Sequence, residues 1–372
     1  MPCCPLAAYG PRALKLSVSY GLCKIDAFEQ MDFPDRTHFE RVRADLWVAR
    51  EFGQAAVMIG AGFSKNADKT LVSAADFPLW SAVADAMYRE LYPPPSDPPP
   101  FEYEKAKLKA ISGIGAVRVA SEYEAAFGRK RLDALLLRAI RDDAYMPGDI
   151  HRLLLTLPWS DIFTTNYDTL LERTRRTIVD RRYDLLLTSA DIPGRMKPRI
   201  VKLHGSFPSH RPFISTEEDY RTYPQQFAPF VNSVQQAIME NSFCLLGFSG
   251  DDPNFLYWSG WVRDNLGSAA SNIYLCGLLN LSDSQKALLR RRNVTPIDLS
   301  PVFPATIPAS NRHANAMKWF LLSLLNGAPP AARGWPSGAS PGVSKPPGLP
   351  DLVPPPSSHL YDPGLLHPTI IP

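Results

Sequence analysis

Five consecutive apolar residues, Ala55-Ala56-Val57-Met58-Ile59, run directly into Gly60-Ala61-Gly62-Phe63-Ser64. A strand with one wet face alternates apolar and polar residues. An unbroken apolar run of this length instead suits a strand covered on both faces, which is the situation of a parallel strand between two layers of helices. Further runs of the same kind recur downstream. Asp161–Thr164, Arg199–Leu203, Phe243–Gly247, Ile273–Cys276 and Thr295–Leu299 read as strands. Helical patterns over Asp168–Arg176, Ala228–Glu240, Asn254–Asn265 and Ser282–Arg292 separate them, with Ser282 as a cap, and Asn311–Leu325 closes the series. Strands alternating with helices predict an α/β fold with a doubly wound, mostly parallel, Rossmann-like sheet.

Before the first strand, residues 37–52 carry Phe39, Val42, Leu46, Ala49 and Phe52 at helical spacing. Residues 79–91 also read as a helix. Pro93–Pro100, with six prolines in eight positions, must be an extended loop. Residues 102–142 read as two helices broken near Gly128, their many charges forming a solvated face. The expected organisation is an extension over residues 1–36, in which Met31 is an alternative start, a nucleotide-binding domain over 37–327 with a helical insertion at about 79–150, and a tail over 328–372. From Ala328 onward 13 of 45 residues are proline and few are charged, a composition that does not build regular structure.

Composition narrows the function. The chain has 372 residues, with 40 Lys and Arg against 37 Asp and Glu, a net charge of +3. This balance, without a basic stripe, argues against direct nucleic-acid binding, which rests on neutralising many phosphates. The five cysteines include no C-x-x-C, so the paired ligands of a zinc ribbon are missing, and Cys244 and Cys276 read as buried thiols. Apolar stretches such as Ala55–Phe63 and Phe243–Phe248 fall short of the roughly 18–20 residues that span a bilayer, and the N-terminus has no signal-like apolar core. A cytoplasmic location is the expectation.

Four motifs carry the chemistry, each at the C-terminal end of an expected strand, where ligands bind in α/β sheets. The Gly60–Ser64 turn lets backbone N–H groups approach a pyrophosphate. It matches neither the Walker loop nor G-x-G-x-x-G, and a plain tight turn is the alternative. Thr164-Thr165-Asn166-Tyr167-Asp168 opens a helix, which Asn166 or Asp168 could simply cap. Lys202-Leu203-His204-Gly205-Ser206 places a histidine, able to accept a proton near neutral pH, at a strand end. Leu246-Gly247-Phe248-Ser249-Gly250-Asp251-Asp252-Pro253-Asn254-Phe255 could bind ribose or phosphate at Gly247 and Ser249, or could merely start a helix at Asp252-Pro253.

In order, these four motifs resemble the series of the sirtuin-like superfamily, G-A-G-x-S, T-Q-N-x-D, H-G and G-T-S. They are closer to the bacterial sirtuin-like domains of anti-phage defence systems, whose Leu-Pro-x-Trp segment is similar to Phe77-Pro78-Leu79-Trp80. The resemblance spans roughly residues 40–300. Thr165 stands where those proteins carry Gln, and the zinc cysteines of protein deacylases are absent. The resemblance implies an NAD glycohydrolase that cleaves the nicotinamide–ribose bond to nicotinamide and ADP-ribose, with NAD as substrate and no zinc. It implies Asn166 and His204 as catalytic residues. Gly60, Ala61, Gly62 and Ser64 would hold the pyrophosphate, Asp168 the nicotinamide amide, and Gly247 and Ser249 the ribose and phosphate. A defence effector that depletes NAD on a trigger, as a homo-oligomer or with a separately encoded activator, is the expected role. A non-catalytic sensor of NAD or ADP-ribose and a divergent NAD-dependent deacylase remain alternatives.

Overall fold

The computed structural model describes residues 34–326, apart from 50, 72–74, 180, 249, 251, 304 and 306–308. The expected N-terminal extension up to residue 33, Met31 and the proline-rich tail lie outside the described residues, as does Ser249.

Helix α1 (Arg36–Leu46) leads into β1 (Ala55–Ile59) and a single turn, α2 (Ala61–Ser64). A short strand β2 (Asp68–Lys69) follows, then α3 (Trp80–Leu91), α4 (Phe101–Ile111), α5 (Gly115–Phe127) and α6 (Arg129–Ile140). Strand β3 (Tyr145–Met146) pairs antiparallel with β2 and so ties the end of this helical insertion to its beginning. The chain continues through α7 (Asp149–Thr156), β4 (Asp161–Thr164), α8 (Leu170–Arg175), β5 (Asp184–Leu186) and β6 (Arg199–Lys202). It then runs through α9 (Glu217–Gln226), α10 (Ala228–Glu240), β7 (Ser242–Leu246), α11 (Pro253–Leu266), β8 (Ile273–Gly277), α12 (Asp283–Arg291), β9 (Val294–Asp298) and α13 (Ala309–Asn326). Among the described residues no helix is long and apolar enough to cross a membrane.

The main sheet has seven strands in the order β5-β6-β4-β1-β7-β8-β9, every neighbouring pair parallel. β1 is central, with Val57 in register with Ile162 on one side and Cys244 on the other. Its side chains alternate between two cores. Ala55, Val57 and Ile59 meet α1, α7 and α13 through Phe39, Leu154 and Phe320. Ala56 and Met58 meet the layer of α9, α10 and α11 through Tyr223, Val234 and Trp258. Burial on both faces is why the run is apolar without a break. From β1 the chain builds one half of the sheet towards β5, then returns to add β7, β8 and β9 on the other side. The strand order therefore reverses between β1 and β7, the place where an open α/β sheet forms its crevice.

The insertion differs from the sequence expectation. Residues 101–140 form three helices, because Ser112-Gly113-Ile114 breaks the first stretch and Gly113 takes a positive φ of 57°. Its charges are not all on a solvated face. The Lys107 side chain is buried, its ammonium held by Asp85 and, at 2.6 Å, by Glu104, while Arg89 reaches Asp85 at 2.8 Å. A third apolar core fills the insertion and continues into the sheet domain through Tyr167, Leu170, Phe207 and Phe213. Arg129 crosses the junction with Nη1 at 2.9 Å from both oxygens of Asp219 on α9.

Candidate active site

The turn after β1 and the turn after β7 touch through backbone alone. The Gly62 N–H donates to the Gly247 carbonyl at 3.0 Å, and the Gly60 N–H to the Leu246 carbonyl at 3.3 Å. Gly247 has φ of 59°, and a Cβ there would lie 2.2 Å from Phe63 N and 2.6 Å from Gly62 C. A Cβ on Gly60 or Gly62 would come within 2.8 Å of the Gly247 carbonyl oxygen. Three glycines are thus needed for one close crossing at the switch point, which opens the crevice floor and leaves its backbone bare.

A cleft of about 780 Å³ lies above this crossing. That is within the range of small-molecule sites, roughly 300–1,000 Å³. Gly60, Ala61, Gly62, Asn166, His204 and Gly247 all line it. The structure therefore brings together in one crevice six of the residues singled out from four separate motifs. Asp168 also reaches the wall, whereas Ser64 does not line it. The insertion supplies an apolar rim, with Phe77, Leu79, Trp80 and Val117. Trp80 sits edge-on to Tyr167, ring centres 6.5 Å apart, so the Phe77–Trp80 segment is fastened to the second motif.

A hydrogen-bonded chain orients the amide. Asn166 Nδ2 donates to Ser64 Oγ at 2.9 Å, and Ser64 Oγ donates to Asp168 Oδ2 at 2.8 Å. A carboxylate can only accept, so the serine must donate to it and must accept from the amide nitrogen. The Asn166 carbonyl oxygen is thereby left to the cleft. Asp168 Oδ1 accepts from the Leu170 N–H at 3.2 Å at the start of α8. Burial pushes the Asp168 carboxyl up from its ordinary value, against the pull of Lys202 and the Ser64 hydroxyl. The buried Lys202 ammonium donates to the Asp168 carbonyl and lies 3.2 Å from Glu172 Oε1, which also accepts from Ser206 Oγ at 2.7 Å. A Lys–Glu–Ser group therefore sits beneath the second and third motifs.

His204, at the end of β6, is 2% exposed. Its ring is wedged by the edges of Tyr220 and Tyr223, centres 5.5 and 5.6 Å away. Burial pushes its pKa down, with Asp252 and Asp219 pulling the other way, so the imidazole is held neutral and able to take a proton. Asp252 accepts from the Tyr220 hydroxyl at 3.0 Å and caps α11 through the Phe255 N–H at 3.1 Å.

Several contributors escaped the sequence reading. Asn254, taken as part of a helix start, has its side-chain amide 3.2 Å from His204 Nε2. His313 on α13 places Nε2 3.1 Å from the Gly62 carbonyl oxygen. Tyr220 lies on α9, a helix whose internal Pro224 masked its pattern. Cys244 and Cys276 are free and buried in the sheet, and among the described residues no group of three or more His, Cys, Asp or Glu could hold a metal ion.

Residues 160–297 match the family model described as SIR2-like domain. Over these residues the chain is similar to SIR2-like domains. It is 35% identical over 139 residues to NAD(+) hydrolase ThsA of Acinetobacter baumannii (strain 532279), covering 37% of this chain and 28% of that protein. It is 26% identical over 151 residues to NAD(+) hydrolase ThsA of Cytobacillus dafuensis, covering 40% of this chain and 30% of that one. Defense-associated sirtuin 2 of Bacillus subtilis is 23% identical over 215 residues, 57% of this chain and 19% of that protein. The matches thus span less than a third of each of these curated relatives.

Proposed function

We propose that this chain hydrolyses NAD at the bond between nicotinamide and ribose. The observation that carries the reading is the meeting of the Asn166 amide, the neutral His204 imidazole and the bare Gly60–Gly62 backbone in one cleft. Its similarity over the SIR2-like stretch to proteins named NAD(+) hydrolase supports the same reaction. We infer that residues 37–327 form the sirtuin-like unit, with 79–150 as its helical insertion.

Nicotinamide in NAD is already a pyridinium, so the C1′–N bond breaks with its electrons going to the ring nitrogen and needs little acid assistance. The charge that develops is oxocarbenium-like, as in glycoside hydrolysis. The Gly60 and Gly62 N–H groups are donated to the β7 turn, so the Ala61 N–H, reached across this side-chain-free backbone, would meet the pyrophosphate, with Gly247, and by the sequence expectation Ser249, against the ribose and phosphate. The Asn166 carbonyl oxygen would accept a hydrogen bond from the attacking water or a ribose hydroxyl. His204 would take the proton that this water loses. Water bonds to C1′, nicotinamide leaves neutral, and ADP-ribose and one proton are the other products. Ser64 and Asp168 are spent on each other and on Asn166 and Leu170, so we assign them the aiming of the amide rather than direct contact with nicotinamide or pyrophosphate.

That the similar proteins are named as hydrolases favours hydrolysis over deacylation. A role as an NAD-depleting defence effector in the bacterial cytoplasm, switched on by self-assembly or a separately encoded activator, follows from the same reading. The test is nicotinamide release from NAD by the purified chain, with and without an acetylated peptide. Turnover without peptide, lowered about 10²–10⁴-fold in His204→Ala, is the expected result. Undiminished turnover in both His204→Ala and Asn166→Ala would refute the site. Turnover only with peptide would make the chain a deacylase.

A further inference from the structure

The two tyrosines fix the plane of the His204 ring, but their edges are indifferent to which nitrogen lies on which side. A half-turn of the ring about Cβ–Cγ exchanges Nδ1 with Cδ2 and Nε2 with Cε1, and leaves the aromatic contacts nearly unchanged. The polar contact that tells the two orientations apart is the Asn254 amide, with Nδ2 placed 3.2 Å from Nε2. Asn254 is 3% exposed and sits in the first turn of α11, anchored by the Asp252 cap and by Pro253. Nδ1 makes no hydrogen bond among the described residues, and the ring lines the cleft.

We propose that Asn254 is a positioning residue that sets the tautomer of His204, accepting from Nε2–H through its carbonyl oxygen so that the Nδ1 lone pair faces the substrate. The amide oxygen and nitrogen exchange by a half-turn about the Cβ–Cγ bond, and their assignment rests on the hydrogen-bond network. Among the described residues the Asn254 amide has no second hydrogen bond that fixes the choice, so the need for a lone pair in the cleft decides it. If the amide nitrogen donated to Nε2, the proton would sit on Nδ1 and the cleft would meet a donor with no lone pair to give. A second hydrogen bond that fixes the tautomer and orientation of a histidine is a general device, and where the histidine binds a metal its loss typically costs about 10–100-fold in activity, the scale adopted for this ring. This inference rests on the hydrolase reading, which requires a lone pair on the cleft side of the ring.

The test has two independent arms on the full chain. In the first, the chain is labelled with ¹⁵N-histidine and long-range ¹⁵N–¹H spectra are recorded without NAD, the His204 signals being assigned by their loss in His204→Gln. The expected result is a neutral ring protonated at Nε2, passing to a mixture of tautomers in Asn254→Ala. A ring protonated at Nδ1, or one that Asn254→Ala leaves unchanged, would overturn the proposal.

The second arm follows nicotinamide release against pH. Asn254→Ala should lower kcat 10–100-fold with KM for NAD unchanged. Asn254→Asp keeps the acceptor, so it should retain more activity than Asn254→Ala. Its carboxylate adds to Asp252 and Asp219 beside a ring otherwise faced by the Tyr220 and Tyr223 phenols, and should move the acid limb of the profile to higher pH. A raised KM with kcat intact, or Asn254→Asp no better than Asn254→Ala, would overturn it. Absence of NAD cleavage by the wild-type chain would remove the hydrolase reading, and the spectra alone would then decide the role of Asn254.

Discussion

Replacing Gly247 by alanine tests the crossing on which the crevice rests. Its φ of 59° is a conformation that costs an L-residue about 1–2 kcal/mol. The added methyl would also stand 2.2 Å from Phe63 N and 2.8 Å from Phe63 Cα, both backbone atoms that no rotamer change can move aside. Forcing such a group into a packed interior typically costs a further 1–3 kcal/mol or so. The sum is about 2–5 kcal/mol, or roughly 5–15 °C in melting temperature for a domain of this size. Gly113 separates the two contributions. Its φ is 57°, yet a Cβ there would meet nothing within 4 Å, so Gly113→Ala should show the conformational part alone. Thermal melts followed by circular dichroism on wild type and both variants measure the difference. If Gly247→Ala melts no lower than Gly113→Ala, the argument that the two turns are held at backbone contact is wrong. Because the displaced atoms belong to the turn after β1, Gly247→Ala should also weaken NAD binding at temperatures where it remains folded.

Three further outcomes follow from the buried polar groups. Lys202→Met should cost about 3–5 kcal/mol in denaturant unfolding, because it leaves the Glu172 carboxylate buried without its cation; Lys202→Met with Glu172→Gln should recover part of that loss. Ser64→Ala removes the link between the Asn166 amide and Asp168, so kcat for nicotinamide release should fall with little change in the melting temperature, and a lowered melting temperature with kcat intact would remove the aiming role. Burial holds His151 down to about 3, below its unfolded value of about 6.5, so the unfolded chain binds the extra proton between those values and stability is lost as pH falls through that window. At pH 5 this group alone should cost about 2 kcal/mol relative to pH 7, and His151→Leu should flatten that part of the unfolding curve.

The strands of the sheet were legible in sequence because a strand covered on both faces leaves an uninterrupted apolar run, as at Ala55–Ile59 and Phe243–Leu246. Elements with weaker signatures were not. β5 is three residues long and only Leu186 is fully buried, so no run marks it. The helix α9 carries Pro224 near its end and mostly polar residues, and its boundary is set by Thr216, which accepts from the Asp219 N–H. The position of Lys107 depends on Asp85, which lies on another helix, and no local charge pattern foretells such a pairing.

The site shows the same division. Gly60, Asn166, His204 and Gly247 stand out because each follows a strand end, where the chain must turn and where ligands gather. Asn254 and Tyr220 belong to the site through tertiary contact with His204, and their own neighbours in sequence say only that helices begin or continue there. The glycine turn carries two demands at once. Its lack of side chains is required by the approach of Gly247 as well as by any phosphate, and only coordinates separate the two.

The most direct measurement is a crystal structure of the His204→Ala chain with NAD. The account predicts the pyrophosphate against the Gly60–Gly62 backbone at the Ala61 N–H and the nicotinamide ribose between the Asn166 amide and position 204, with Trp80 at the rim beside the bound molecule. NAD held elsewhere, or its reactive carbon turned away from Asn166 and position 204, would contradict it.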